Sequence, residues 1–205
     1  MFSDLDNLIP IVQKDYNQIC DSWDNCVATS INLKKKCVID AINDEFIMNS
    51  ISKYSSFLND KAAELMLNFG GVEYSNSIVT SRVKAQNSIL QKLDIYRRTH
   101  ENGKIPLNKC INDLFGIRII IDSIFRCDTV KRYIEDTFSS YKCIDSSKEE
   151  YRAIHIYFKS DNYHFPWELQ VWSKQDEENN LNSHKTYKQK YTNWENENKG
   201  GVVIG

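Results

Sequence analysis

The stretch Phe115–Asp122, with the sequence FGIRIIID, constrains the fold more than any other part of the chain. Its four isoleucines and its phenylalanine belong to the residue types that are enriched in strands, and the run leaves few polar positions. It therefore predicts a strand in the interior of a sheet. Arg118 interrupts the run, and because an unpaired buried charge is costly, its guanidinium must face a partner or a ligand.

Helical and strand patterns follow one another along the rest of the chain. Apolar residues recur at three- and four-residue spacing over 5–26 and 36–69, which predicts two or three helices before a stop at Gly70-Gly71. Strands are predicted at 72–74, 77–80, 115–122, 141–144, 152–158 and 165–172, and helices at 84–98, 125–139 and 175–199. The pattern predicts an α+β domain with a mixed sheet of about five strands flanked by helices.

These patterns divide the chain into three predicted parts. Residues 1–70 form an N-terminal helical segment that packs on the core, 71–199 form the core with a C-terminal helix, and 200–205 form a flexible tail. The 205 residues, of which 41% are hydrophobic and 26% charged, suit one domain with a sizeable core.

Charge and hydropathy exclude several classes of protein. The 26 basic and 28 acidic residues give a net charge of −2, which argues against a globally basic nucleic-acid coat. No apolar run approaches the roughly 20 residues of a membrane span, and the start MFSDLD lacks the basic region of a signal peptide. We therefore expect a cytoplasmic protein, whose six scattered cysteines are small buried hydrophobes and not a zinc site.

A cluster of cations and a hydroxyl follows the strand predicted at 77–80. Lys84, Ser88 and Lys92 are spaced i, i+4 and i+8, so on a helix they share one face. Arg82 would lie at the junction of strand and helix, where free backbone N–H groups also favour anions. This arrangement suits a polyphosphate, whereas the alternative interpretation is a solvated basic helix face.

Two carboxylates stand next to predicted strands. Asp113 precedes the strand at 115–122, where it is either a ligand of a hard cation or the partner of Arg118 in an ion pair. Strand alternation places Glu168 and Gln170 on one face. Glu168 could complete a Mg²⁺ site with Asp113, since Mg²⁺ takes one or two carboxylates together with phosphate oxygens. The alternative is an exposed polar strand face.

A fourth group lies around the strand predicted at 152–158. If the strand extends back to Tyr151, this residue shares a face with His155, and its ring could stack on a base. Lys148 and Arg152 lie close by in sequence. The alternatives are edge-strand packing for the tyrosine and a hydrogen-bonded, half-buried imidazole for His155.

Taken in order, these groups resemble the synthetase domain of the RelA/SpoT family, the alarmone ((p)ppGpp) synthetases. The resemblance covers about 55–190, and the short chain is similar to a small single-domain synthetase with a nucleotidyltransferase-like core. The matching stretches are Ser81-Arg82-Val83-Lys84 with Ser88 through Lys92, Asn112 through Ile119, Tyr151 through His155, and Glu168-Leu169-Gln170.

The resemblance implies a Mg²⁺-dependent GTP/GDP diphosphokinase. In this reaction the 3′-hydroxyl of a guanosine nucleotide attacks the β-phosphorus of ATP, and AMP leaves. The residues implied to contact ATP are Arg82, Lys84, Ser88, Lys92 and Arg118. Asp113 and Glu168 are implied to hold Mg²⁺, with Glu168 also as general base and with Arg82 and Lys84 as further catalytic residues. The residues implied to bind the acceptor are Tyr151, which stacks on guanine, and Lys148, His155 and Gln170.

The acceptor half departs from the family pattern. Glu150 stands where the family usually has Gly, Lys148 lies three and not four residues before Tyr151, and Trp172 replaces the Arg of Glu-x-Gln-x-Arg. Glu149 and Glu150 would repel a di- or triphosphate. Two alternative functions follow: a toxin-like relative that pyrophosphorylates another acceptor such as the tRNA 3′ end, and a non-catalytic nucleotide-binding module. A homo-oligomer is also compatible with the sequence.

Overall fold

A computed structural model describes residues 2–71, 74, 77–183 and 185–186. The helices are α1 (Ser3–Asp24), α2 (Val38–Asn43), α3 (Glu45–Gly70), α4 (Gln86–Thr99), α5 (Leu107–Cys110) and α6 (Cys127–Thr137), and residues 177–183 are also helical. The strands are β1 (Ser77–Val83), β2 (Phe115–Ile121), β3 (Lys142–Asp145), β4 (Ile154–Phe158) and β5 (Trp167–Ser173). The strand predicted at 72–74 and the tail from 187 to 205, with its predicted flexible end at 200–205, lie largely or wholly outside the described residues.

The five strands form one mixed sheet in the order β1-β2-β5-β4-β3. β2 and β5 run parallel, and the other neighbouring pairs are antiparallel. β2 has a neighbour on each side, as its run of apolar residues predicts. The structure therefore confirms the α+β class and the mixed five-stranded sheet flanked by helices.

The N-terminal helices cover one face of the sheet. The apolar stripe of α1 includes Leu8, Val12 and Tyr16, and these side chains are completely buried. The ring of Tyr16 meets Trp167 of β5 edge to face with centroids 5.5 Å apart, and Trp167 Nε1 donates to Tyr54 Oη of α3 at 3.3 Å. Burial of these aromatic side chains stabilises the sheet and leaves its opposite face for polar residues. Within the described part of the chain, no helix combines the length and apolarity that crossing a membrane requires.

Two element boundaries differ from the sequence prediction. β1 continues to Val83, because Lys84 N–H still donates to the carbonyl of Leu114 at 2.8 Å, so Lys84 precedes α4 and does not belong to it. β4 begins only at Ile154. Tyr151 lies in a tight turn, where its backbone N–H and C=O both bond Lys148. The prediction from local pattern missed these ends because the bond from Lys84 to Leu114 joins distant residues and the turn between Lys148 and Tyr151 interrupts the strand pattern.

Candidate active site

The polar face of the sheet forms the floor of a cleft of about 1220 Å³. Cross-strand register aligns its side chains in two rows, since partners directly opposite each other lie about 5 Å apart. The first row is Arg82, Gly116, Glu168 and Tyr157, and the second is Thr80, Arg118, Gln170 and His155. The side chains that the sequence predicts for a site and that line this cleft are Arg82, Lys84, Ser88, Lys92, Asp113, Lys148, Tyr151, His155, Glu168 and Gln170.

Asp113 lies between two ammonium groups. Its Oδ2 is 2.6 Å from Lys84 Nζ and its Oδ1 is 2.9 Å from Lys92 Nζ, and its side chain is only 14% exposed. Burial raises the pKa of the Asp113 carboxyl, but the charges of Lys92 and Lys84 outweigh burial and lower that pKa to about 2. For Lys84 the effect of burial prevails: burial and the like charge of Lys92 lower its pKa. This half of the cleft therefore holds concentrated positive charge.

Arg82 and Ser88 complete the basic half. Arg82 lies across Gly116, and a Cβ at this glycine would stand 3.8 Å from the Arg82 side chain, in ordinary contact. Ser88 lies in the first turn of α4, where the backbone N–H groups lack intrahelical partners. The predicted common helical face of Lys84, Ser88 and Lys92 is wrong because Lys84 precedes the helix, yet all three side chains reach the same cleft.

Arg118 is not among the described residues that line the cleft. Its Nη2 donates to Gln170 Oε1 at 3.1 Å, and its guanidinium lies 3.6 Å from the centre of the Trp172 ring. The alternative ion pair between Asp113 and Arg118 is replaced by the two lysine contacts of Asp113. Burial, reinforced by the charge of Arg82, lowers the pKa of Arg118. Arg118 therefore has two partners in the interior of the sheet: the side-chain amide of Gln170 and the indole of Trp172.

Glu168 lies in a dense hydrogen-bond network. Tyr157 Oη donates to its Oε1 at 3.0 Å, His155 Nδ1 lies 2.9 Å from the same oxygen, and Gln170 Nε2 donates to Oε2 at 2.8 Å. A carboxylate only accepts, so His155 Nδ1 carries the proton of that contact. Burial and the charge of Asp113 raise the pKa of Glu168, but the His155 contact and the Gln170 bond outweigh them and lower it. Glu168 is therefore ionised at neutral pH.

Tyr151 stands on an apolar support at the other end of the cleft. Its ring meets Trp172 edge to face with centroids 6.0 Å apart, and its hydroxyl is 2.9 Å from His155 Nε2. Trp172 is fully buried and packs with Ile120 and Ala153 in a small second cluster. Burial raises the pKa of Tyr151 to about 12, so its hydroxyl keeps its proton. The indole that departs from the family pattern thus supports both Tyr151 and Arg118.

The turn before Tyr151 carries two acids into the cleft lining. Glu149 has a positive φ of 52°, and both it and Glu150 are exposed. Arg152 donates from Nη1 to the carbonyl of Tyr151 at 2.8 Å and also to the carbonyl of Glu149, so its guanidinium braces the turn from its backbone side. A left-handed backbone at a glutamate costs roughly 1 kcal/mol or more, and this brace offsets part of that cost.

The helical residues 177–183 and 185–186 lie within the helix predicted at 175–199, but sequence reasoning did not assign them to the wall of the cleft that they form. Asn180 is fully buried, and its side chain accepts from Arg152 N–H and donates to Arg152 C=O, each at 2.8 Å. These two bonds occupy backbone groups that a longer β4 would use. The residues of this helix that line the cleft are Asn179, Asn182, Ser183 and Thr186. Their i, i+3, i+4, i+7 spacing was a readable signal, but nothing in the sequence says what that face meets.

The two carboxylates of the predicted metal site face one cleft. The charge of Asp113 raises the pKa of Glu168, so the two groups lie within electrostatic reach of each other. Among the described residues there is no cluster of three or more His, Cys, Asp or Glu side chains suited to a metal. A site for Mg²⁺ needs only one or two carboxylates when phosphate oxygens supply further ligands. Asp113 and Glu168 supply carboxylates of this kind, and Mg²⁺ stays a prediction, since Lys84 and Lys92 contact both oxygens of Asp113.

A family model described as a region found in RelA / SpoT proteins matches residues 81–192. Every described residue that lines the cleft, from Arg82 to Thr186, falls inside this region. No curated protein sequence matches the chain at a significant level.

Several solved structures resemble the chain, and three of them are small alarmone synthetases from Bacillus subtilis. Small alarmone synthetase 1 from Bacillus subtilis is 23% identical, and the match covers 68% of this chain and 81% of that chain with a TM-score of 0.45. The same protein bound to its product pppGpp is 20% identical over 72% and 83% of the two chains, with a TM-score of 0.42. Small alarmone synthetase 2 from Bacillus subtilis is 19% identical over 71% and 82%, with a TM-score of 0.40.

Proposed function

This chain belongs to the RelA/SpoT family, and on that premise we propose that it is an ATP-dependent pyrophosphokinase that makes the alarmone (p)ppGpp. One observation carries the proposal: a cleft that holds Arg82, Lys84 and Lys92 also holds the ionised, buried carboxylate of Glu168. Cations that grip a polyphosphate and a carboxylate that accepts a proton are the two requirements of this transfer.

The basic half binds ATP in this proposal. Lys84 and Lys92 exchange part of their contact with Asp113 for phosphate oxygens, while Arg82 and the first turn of α4 at Ser88 add further donors. The expected contact of Arg118 with ATP stays a prediction, since its observed partners are Gln170 and Trp172. Asp113 and Glu168 would hold Mg²⁺, which neutralises charge on the transferred phosphates when it is bound.

The transfer itself needs positioning and one proton acceptor. The 3′-oxygen of a guanosine nucleotide forms a bond to the β-phosphorus of ATP, the bond from this phosphorus to the α,β-bridging oxygen breaks, and AMP leaves. Glu168 receives the proton of the 3′-hydroxyl. Its contacts with His155, Tyr157 and Gln170 fix the direction of its carboxylate.

The acceptor half binds the second nucleotide. The Tyr151 ring, which meets Trp172 in a T-shaped contact and whose hydroxyl contacts His155, stacks on the acceptor base. Lys148 and Gln170 line the same half and provide a cation and an amide. Rigid support lowers the entropic cost of binding, because the ring is already in place before the base arrives.

The acidic turn at Glu149 and Glu150 favours a second candidate within the same chemistry. A relative that pyrophosphorylates the 3′ end of tRNA would bring no free 5′-triphosphate to this turn. Such a protein needs a basic docking surface; Lys185 is exposed, whereas Lys188 and Lys190 lie outside the described residues. A non-catalytic binding module is disfavoured because Asp113 and Glu168 share the cleft with the cations.

Product identification tests the proposal. The protein is incubated with ATP, Mg²⁺ and either GMP, GDP, GTP or tRNA, and the products are separated by chromatography. We expect AMP and a 3′-pyrophosphorylated guanosine nucleotide, with no such product from the Glu168→Gln variant. Transfer to tRNA alone would select the second candidate. Tight nucleotide binding without AMP release, in a correctly folded protein, would identify a binding module and contradict the proposal.

A further inference from the structure

The two halves of the cleft carry opposite charge. In the ATP half, Arg82, Lys84 and Lys92 outnumber Asp113. In the acceptor half, among the described lining residues, Glu149 and Glu150 outnumber the cation of Lys148, and Arg152 is already engaged by the backbone carbonyls of the turn. A polyphosphate requires cations or bundled N–H groups to replace its hydration. The acceptor half is therefore poorly suited to a 5′-di- or triphosphate.

The wall beside the acceptor half offers neutral hydrogen-bonding groups instead. Asn179, Asn182, Ser183 and Thr186 present amides and hydroxyls to the cleft from one helix face. Asn180 bonds the backbone of Arg152, the residue after Tyr151, so this face lies next to the ring proposed to stack on the acceptor base. Amides and hydroxyls both donate and accept, which suits base edges and ribose hydroxyls.

We propose that the acceptor half recognises a nucleoside with few phosphates, so that GMP is a better acceptor than GDP, and GDP better than GTP. Asn179 and Asn182, with Ser183 and Thr186, hydrogen-bond the base and ribose, and the turn at Glu149-Glu150 disfavours each added phosphate. This inference rests on the proposed pyrophosphokinase function and names the acceptor class of the same site.

The first experiment compares the three acceptors on the wild-type protein. Two exposed acids beside two additional phosphates, screened at physiological salt, should lower kcat/KM for GTP relative to GMP by about five- to tenfold. Raising the salt concentration should narrow this ratio. A GTP value equal to or above that of GMP would overturn the proposal.

Charge removal tests the turn. In the double variant Glu149→Gln and Glu150→Gln, the ratio of GMP to GTP should fall to about twofold or less, while KM for ATP stays unchanged. Glu178→Gln is the matched control, because Glu178 is an exposed acid of the neighbouring helix that is not among the cleft-lining residues. An unchanged ratio in the double variant would show that the turn does not select the acceptor.

The role of the helix face that carries Asn182 is tested by comparing its effect on KM for GMP with its effect on KM for ATP. Asn182→Ala should raise KM for GMP severalfold without changing KM for ATP, whereas Leu181→Ala, a partly exposed residue outside the lining, should change neither. Equal effects on both substrates would refute the assigned contact. Failure of the proposed function is distinguishable, since in that case the wild-type protein releases no AMP with any of these acceptors.

Discussion

The ion triad of Asp113, Lys84 and Lys92 supports a quantitative prediction about pH and stability. Its side chains are 14%, 15% and 22% exposed, so solvent screens the triad weakly. The folded-state pKa of Asp113 is about 2 against an ordinary 3.8. This difference corresponds to about 2 kcal/mol of folding free energy. A carboxyl with a depressed folded-state pKa contributes this stability above its unfolded pKa and loses it as the pH falls through the folded value.

The assay is urea unfolding of the wild-type protein and of Asp113→Asn between pH 6 and pH 3. At pH 6 the variant should be less stable by about 2–4 kcal/mol, because two ammonium groups then face each other without a carboxylate. About half of the pH-dependent contribution is lost by pH 3, so the difference between the two proteins should shrink by about 1 kcal/mol.

The matched control is Asp94→Asn. Asp94 also contacts two cations, Arg97 at 2.8 Å and Arg98 at 3.0 Å, but these side chains are 35–43% exposed. An exposed ion pair contributes about 1 kcal/mol or less, so this variant should change stability little at either pH. A wild-type minus Asp113→Asn difference that stays constant from pH 6 to pH 3 would refute the electrostatic account of the triad.

Three further predictions concern Glu168, Tyr151 and Asn180. Glu168→Gln should lower the transfer rate by about 10²–10⁴-fold while the circular dichroism spectrum is retained, because an amide cannot accept the proton; substantial residual turnover would exclude Glu168 as the base. Tyr151→Ala should raise KM for the acceptor far more than KM for ATP, because the stacking ring is lost. Tyr151→Phe keeps the ring but loses the contact with His155, so its effect on KM for the acceptor should be smaller. Equal effects of Tyr151→Ala on both Michaelis constants would exclude the stacking role. Asn180→Ala should lower the free energy of unfolding by about 1–3 kcal/mol in urea, since it removes the buried amide that bonds the backbone N–H and C=O of Arg152; a change below about 0.5 kcal/mol would show that water satisfies these groups.

Local sequence was sufficient for the parts of the fold that depend on periodicity. The apolar run at 115–122 predicted an interior strand, and β2 has neighbours on both sides. Alternation placed Glu168 and Gln170 on one face, and they share a hydrogen bond there. These predictions hold because side-chain direction in a regular strand is determined by the backbone geometry of a few consecutive residues.

Contacts between distant residues were decided only by the tertiary structure. From the sequence alone, Asp113 and Arg118 could equally well form an ion pair, since they are only five positions apart. In the structure Asp113 instead pairs with Lys84 and Lys92. Arg118 contacts Gln170 and Trp172. In the sequence, Trp172 is a departure from the family pattern. In the structure, its ring packs against Tyr151 and Arg118.

The helical wall at 177–183 and 185–186 gives a second example of this difference. Its polar spacing is visible in the sequence, but the bonds from Asn180 to the backbone of Arg152, 28 positions away, determine where that face points. Periodicity is set by local backbone geometry, whereas a partner is set by which surfaces pack together once the apolar faces are buried. The residue types of the cleft were therefore readable from the sequence, and their pairing and the division of charge between its halves required the folded chain.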